Sequence, residues 1–270
     1  MFHQPKILKS QKIPKNDYIV FAGPDLDVLK LRNQPYITVI SIDIGVVNFG
    51  FRMERRWRHP DSESYVVGIE TLSFDLASFP KRFDENKRSM LFKTITDFLM
   101  DPKRSQHYPD VHLLIIERQI EISPTNIKIQ QHIMSYMSAA YPNITIIDLN
   151  NKVRGAALGG PRGREELKAW SVAMAYHYMR YHNRLESVTL LDSMGDTNKC
   201  DDISDAIVQI EAFCKLVNLP CTNLYYSISD APPPPLLLDF SEPAPSSSKR
   251  NNNELRQFMT VPEETVIIEF

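Results

Sequence analysis

The alternation of apolar and polar positions gives this chain a β-rich beginning and an α-rich end. Tyr36–Gly45, YITVISIDIG, is apolar on both faces and β-branched, so it reads as a strand buried inside a sheet. Gly45-Val46-Val47-Asn48 reads as a turn, after which NFGFRMERRW alternates as a second strand and forms a hairpin with the first. SYVVGIETLSF is a third strand. Between Asp84 and Met100, the residues Met90, Leu91, Ile95, Phe98 and Leu99 recur at helical spacing. VHLLIIERQ, Val111–Gln119, is another buried strand, and Ser123-Pro124 opens a helix that runs to about Ala140, a cap followed by a first-turn proline. NITIIDL is a fifth strand, and Glu165–Tyr181 and Asp201–Leu216 are helices. Three strands followed by strands alternating with helices predict an α/β fold: a five-stranded mixed sheet, with an antiparallel hairpin and parallel strands, flanked by helices.

Composition marks the boundaries. Residues 1–36 are polar, proline-punctuated and basic (Lys6, Lys9, Lys12, Lys15), and read as an N-terminal extension. Residues 37–226 hold the periodic core. Residues 227–270, with APPPPLLLDFSEPAPSSSKRNNN, read as a disordered tail, because such a composition buries too little apolar surface to order itself. The tail ends in TVPEETVIIEF, a β-prone stretch that reads first as a loose end, with docking on a partner or on the protein's own sheet edge as the alternative.

The whole chain carries 31 Lys+Arg against 33 Asp+Glu over 270 residues, so a case for nucleic-acid binding must rest on local charge. No apolar run approaches the roughly 20 residues that span a bilayer, so no membrane segment is expected. The three cysteines, Cys200, Cys214 and Cys221, fit neither a disulfide framework nor a zinc site, which predicts an intracellular, reduced protein without a structural metal.

The informative residues are acids where a core should be apolar. Asp43 lies between Ile42 and Ile44, and Glu117 closes LLIIE. An ionised carboxylate in such a strand is unfavourable by several kcal/mol unless paired or bound to a metal. In KCDDISDA, Asp202 and Asp205 stand at i and i+3, on one face of a first helical turn. Each acid has an ordinary alternative: a buried arginine for Asp43, solvation for Glu117, and helix capping or the helix dipole for Asp201, Asp202 and Asp205. Together they are what a divalent-cation site needs, hard oxygen ligands on rigid elements. The absence of His and Cys from those strands points away from zinc, and four carboxylates suit two Mg²⁺ ions.

The motifs IDIGVVNFG, IIERQ and KCDDISDA, in this order from Ile37 to about Leu219, resemble the RuvC-like Holliday junction resolvases. Their likeness is to the branch that takes in poxvirus-type and related large-DNA-virus enzymes and fungal mitochondrial resolvases. The resemblance implies a ribonuclease H-like fold with Asp43, Glu117, Asp202 and Asp205 as a catalytic tetrad. It implies two Mg²⁺ ions per site, with Mn²⁺ able to substitute: Asp43 bridging both, Glu117 and Asp202 completing one site, and Asp205 the other. It also implies a homodimer that nicks four-way DNA junctions to leave ligatable 5′-phosphate and 3′-hydroxyl ends. The compartment would be a viral replication site or a mitochondrion. The chain departs from the family in having Val47 where a lysine is common, and Lys199-Cys200 where two lysines precede the double Asp; Lys199 remains the candidate for contact with phosphate near the metals. Alternatives of other classes are a nuclease of this fold acting on flaps or hybrids, and a non-catalytic junction-binding scaffold.

For DNA, the strongest local charge lies between Asn150 and Arg184, with seven basic residues against Glu165 and Glu166. Lys152, Arg154, Arg162, Arg164 and Lys168 surround four of the nine glycines, and the stretch reads as a flexible loop whose amides and guanidinium groups hold phosphates just before a helix start. Arg118, beside Glu117, would touch phosphate or pair with an acid. A second group, Arg52, Arg55, Arg56 and Arg58 around Trp57, lies on or just after the second strand. Trp170 and Tyr176 read as core or dimer interface.

Overall fold

The computed structural model describes residues 18–45, 48–58, 67–77, 88–119, 123–161, 163–182, 184–194 and 200–222. A mixed sheet runs through them, built from β1 (Tyr18–Ala22), β2 (Ile37–Asp43), β3 (Phe49–Arg58), β4 (Val67–Ala77), β5 (Leu113–Glu117) and β6 (Thr145–Leu149). The strand order is β1-β6-β5-β2-β3-β4. β2, β3 and β4 form an antiparallel meander, β5 and β6 run parallel to β2 on its other side, and β1 is antiparallel to β6 at the edge. Apart from β1, this is the five-stranded mixed sheet, an antiparallel hairpin beside parallel strands, that the sequence predicts.

The helices are α1 (Val28–Arg32), α2 (Arg88–Met100), α3 (Pro102–Ser105), α4 (Pro124–Ala140), α5 (Val153–Leu158), α6 (Arg164–Tyr181), α7 (Leu185–Met194) and α8 (Cys200–Leu216). The central strands are apolar on both faces because both faces are covered. Ile40, Ile42, Leu114, Ile116 and Ile146 pack against Ile95 and Leu99 of α2 and Ile129 and Ile133 of α4. Ile37, Val39, Leu113, Ile115 and Ile147 pack against Ile210 and Phe213 of α8 and Val153 of α5. Ala175, Met179, Leu191, Ile203 and Ile207 join α6 and α7 to α8.

Three expectations change. The sheet has six strands rather than five, because YIVFA, inside the stretch read as an extension, pairs with β6 from Tyr18↔Leu149 onward. Five residues with every second side chain exposed give little local signal, and the pairing partner lies more than a hundred residues away. Second, the basic stretch after β6 is not all loop: it forms α5, whose C-cap Gly159 takes the left-handed conformation (φ 79°) that glycine adopts without strain. Third, two of the four arginines grouped on β3, Arg52 and Arg56, are internal. Arg52 and Arg56 are 0% and 1% exposed, and both grip Glu54, with Arg52 Nε and Arg56 Nε each 2.5 Å from one of its carboxylate oxygens. Arg56 also reaches Glu211 of α8 at 2.5 Å and donates to the Pro220 carbonyl at 3.1 Å. Burial opposes the Glu54 charge, but Arg56 and Arg52 outweigh it and hold that carboxyl down to about 2. The motif read as basic is an internal ion network that fastens α8 to the sheet.

Candidate metal centre

Two acids reach one place because of strand period and register. Side chains alternate between the faces of a sheet, so Asp43 shares a face with Ile37 and Val39, and Glu117 with Leu113 and Ile115. That is the face covered by α5 and α8. The parallel pairing of Ile42 with Ile116 puts Asp43 and Glu117 side by side at the ends of their strands. α8 supplies the remaining acids from its first turns, at Asp202 and Asp205.

The glycines and the asparagine of the first motif have a physical purpose. A Cβ on Gly45 would stand 2.3 Å from the Asn48 carbonyl oxygen, so the turn after β2 closes only without one. A Cβ on Gly50 would stand 2.6 Å from the Asp202 carbonyl oxygen, so α8 seats against β3 only there. The Asn48 side chain hydrogen-bonds the Asp202 carboxylate. At the end of β5, Asn126 of α4 donates to the Ile44 carbonyl (3.2 Å) and to Gln119 Oε1 (3.3 Å), while Gln119 donates to the Glu117 carbonyl at 3.0 Å. The two acid-bearing strand ends are thereby tied to each other through α4.

Carboxylate oxygens of Asp43, Glu117 and Asp205 lie within 4.8 Å of one another. Asp202 stands beside this group and faces Asn48. Arg154 of α5, 7% exposed, lies against the acids: its Nη2 is 3.1 Å from Glu117 Oε2, and its Nη1 pairs with Asp205. Burial raises the Asp43 carboxyl well above the usual range, and the charges of Glu117, Asp205 and Asp202 raise it further against the pull of Arg154. Burial also raises Glu117, where Arg154 opposes and Asp205 adds. Asp202 is raised to about 6, by burial first and Asp201 second. Acids crowded so closely that their charges resist one another fit a divalent cation, and all the donors are hard oxygens. Glu117 Oε2, buried and without a well-aligned hydrogen bond, is an acceptor with capacity to spare.

The candidate phosphate contacts divide. Lys152 is exposed at the start of α5. Lys168 pairs with Asp201 at 2.8 Å, which occupies its charge at the head of α8. Arg118 is partly exposed and pairs with Asp148 at 3.0 Å, the second of its two anticipated roles. Arg154 points into the acids and not outward from a loop, because α5 packs it against α8. Lys199, Arg162 and the Arg164 side chain lie outside the described residues, as do Val46, Val47 and the chain beyond 222. Arg154, Asn48 and the Asn126–Gln119 pair are the residues whose roles sequence reasoning missed. Asn48 had a signal as part of the first motif, and Gln119 as the end of IIERQ.

No family model matches the chain. Uncharacterized protein 97L of Invertebrate iridescent virus 3 is 19% identical over 211 residues, which is 66% of this chain and 100% of that one. Among solved structures, the yeast mitochondrial Holliday junction resolvase Ydc2 aligns with a TM-score of 0.45 at 14% identity, over 70% of this chain and 82% of that one. RuvC of Thermus thermophilus aligns with a TM-score of 0.38 at 10% identity, over 67% of this chain and 96% of that one. The chain is thus similar, at low identity, to one viral protein and to the structures of a yeast mitochondrial Holliday junction resolvase and of RuvC.

Proposed function

We propose that this protein is a divalent-cation-dependent DNA endonuclease that resolves four-way junctions in recombining or replicated genomes. The observation that carries the reading is the convergence of Asp43, Glu117 and Asp205, from two strands and a helix, to within 4.8 Å. Asp43, Glu117, Asp202 and Asp205 would hold two Mg²⁺ ions, or Mn²⁺ in their place. Bound there, the ions supply Lewis-acid stabilisation of charge at the scissile phosphate and make water a better nucleophile near neutral pH. The chain's own part is to hold four carboxylates in position on rigid elements. The exposed Lys152, with Arg162 and Arg164, would contact the DNA backbone, and Lys199 a phosphate near the ions; Lys168 and Arg118 would do so only on leaving Asp201 and Asp148. These contacts position DNA and do not read sequence. A junction needs two matched nicks, so the reading includes a homodimer with two equivalent sites. Its setting would be a viral replication site or a mitochondrion; among the described residues, no helix is long and apolar enough to cross a membrane.

The test is cleavage of synthetic four-way, flap and RNA–DNA hybrid substrates with Mg²⁺ or EDTA, with Asp43→Asn as the control. Paired, symmetric, Mg²⁺-dependent nicks in junctions alone support the proposal. Preferred cutting of flaps or hybrids assigns the site to another substrate. Tight junction binding without cleavage in Mg²⁺ or Mn²⁺ makes the protein a scaffold.

A further inference from the structure

We propose that Arg154 is the built-in counter-cation of this centre, and that a divalent ion enters by exchange for its guanidinium. The proposal rests on the metal-site reading above and concerns how that site loads.

Arg154 bridges Glu117 and Asp205, two of the three acids whose oxygens converge. A guanidinium and a metal ion therefore require the same oxygens. Without some positive charge, crowded carboxylates repel one another, and Arg154 supplies that charge from within the chain. Its fit differs from that of a purely structural arginine. Arg56 has Nε, Nη1 and Nη2 each hydrogen-bonded, to Glu54, Pro220 and Glu211. Arg154 Nε is buried with no hydrogen-bond partner among the described residues, and Glu117 Oε2 faces the guanidinium without a well-aligned hydrogen bond. A buried donor left unpaired is unfavourable, so the pairing neutralises the acids without satisfying the arginine. Arg154 is also carried on a short element. α5 has six residues and ends at Gly159, where a Cβ would meet nothing within 4 Å, so there is room beside the end of the helix that holds it. An ion with two charges and freedom to take more oxygens satisfies the carboxylates better than a misaligned guanidinium. Exchange then follows, and Arg154 leaves Glu117 and Asp205 as the ion enters. The linkage runs both ways: the arginine weakens cation binding by the factor with which the cation weakens the arginine's hold.

The test titrates Mn²⁺ into the full-length protein without DNA, with free Mn²⁺ followed by electron paramagnetic resonance, for wild type and Arg154→Met. The variant should bind Mn²⁺ at least about fivefold more tightly, the low end for coupled equilibria. It should also melt below wild type in EDTA, with the gap closing in saturating Mn²⁺. A variant that binds Mn²⁺ as wild type does, or more weakly, overturns the exchange. A second measurement uses wild type alone: the ¹⁵N side-chain signal of Arg154 should shift, and exchange faster with water, as Mg²⁺ is added. A signal unmoved at saturating Mg²⁺ overturns the proposal even if the variant does not fold. A wild-type protein that binds no Mn²⁺ at all removes the metal-site reading itself, an outcome distinct from either of these.

Discussion

Gly50 and Asp202 lie backbone against backbone, so close that a Cβ on the glycine would stand 2.6 Å from the aspartate's carbonyl oxygen. Gly50 is also the ladder partner of Asp43 across the β2–β3 hairpin. A single missing side chain thus lets α8 approach β3 next to the strand that carries the first acid, and sets the distance between acids separated by more than 150 residues.

Gly50→Ala should accordingly force α8 outward, since the obstructing atom is backbone and cannot rotate away. A destabilisation of about 1–3 kcal/mol, typical of overpacking, is expected in urea unfolding. Junction cleavage should fall further than stability does, because Asp202 and Asp205 move with the helix. Wild-type cleavage in this variant would show that the acids tolerate a displaced helix.

Asp43→Asn, Glu117→Gln and Asp205→Asn each remove a charged ligand and keep its shape. Each should lower the rate of junction cleavage by at least about a hundredfold, the scale of lost cation stabilisation at a phosphate. Junction affinity, measured by gel shift in EDTA, should change little. Near-wild-type cutting by any one of them removes that residue from the ligand set.

The pH dependence of the metal-free protein has a definite sign. Asp43, Glu117 and Asp202 are raised above their ordinary values, so the folded state binds their protons more tightly than the unfolded chain does. Their contribution is fully present below the unfolded carboxylate value of about 4 and is lost as pH rises through about 6, where Asp202 titrates. Glu54 is held down to about 2, so the stability it contributes is lost only in more acidic solution. Burial lowers His112, His132, His177 and His182, which makes stability rise over the same range. The acids therefore show as a difference: the melting temperature in EDTA should fall relative to that in saturating Mg²⁺ from about pH 5 to about pH 8. A melting temperature in EDTA that rises relative to that in Mg²⁺ over that interval contradicts the arrangement of the acids.

Much of this was legible in the sequence, and the reasons differ by element. β2 and β5 announced themselves through unbroken β-branched runs, and their acids stood out as violations of those runs. The β5–α4–β6 succession followed from length, alternation and the Ser123-Pro124 start. What the sequence concealed is contact made at a distance. YIVFA is ordered only by β6, and Arg154 resembles any loop arginine until α5 turns it toward Glu117 and Asp205. Arg52 and Arg56 share their strand with Arg55, which is partly exposed; only Glu54 and the remote Glu211 show that the first two are internal.

Glu211→Ala tests that internal network. It leaves the Arg56 guanidinium short of one partner in a dry interior, and breaking such a pair is expected to lower stability by about 3–5 kcal/mol in urea unfolding. A loss below about 1 kcal/mol would mean that water or Glu54 alone satisfies Arg56.

Lys152→Ala combined with Arg164→Ala addresses DNA contact. Each lost phosphate contact should reduce the slope of log affinity against log salt by about 0.9, for duplex and junction alike. An unchanged slope would place the DNA elsewhere on the surface.

The Arg56–Glu211 pair also closes a circuit. Asp43 ends β2, β2 is laddered to β3, β3 grips α8 through Arg56, and α8 returns to the centre at Asp205. Every link in that ring is interior and none is a connecting loop. The spacing of the acids is therefore a property of the cooperative core and has no local melting of its own. Cation affinity should stay level on warming and then vanish in the same transition as the tertiary structure, which makes metal binding a gauge of whether the whole domain is folded.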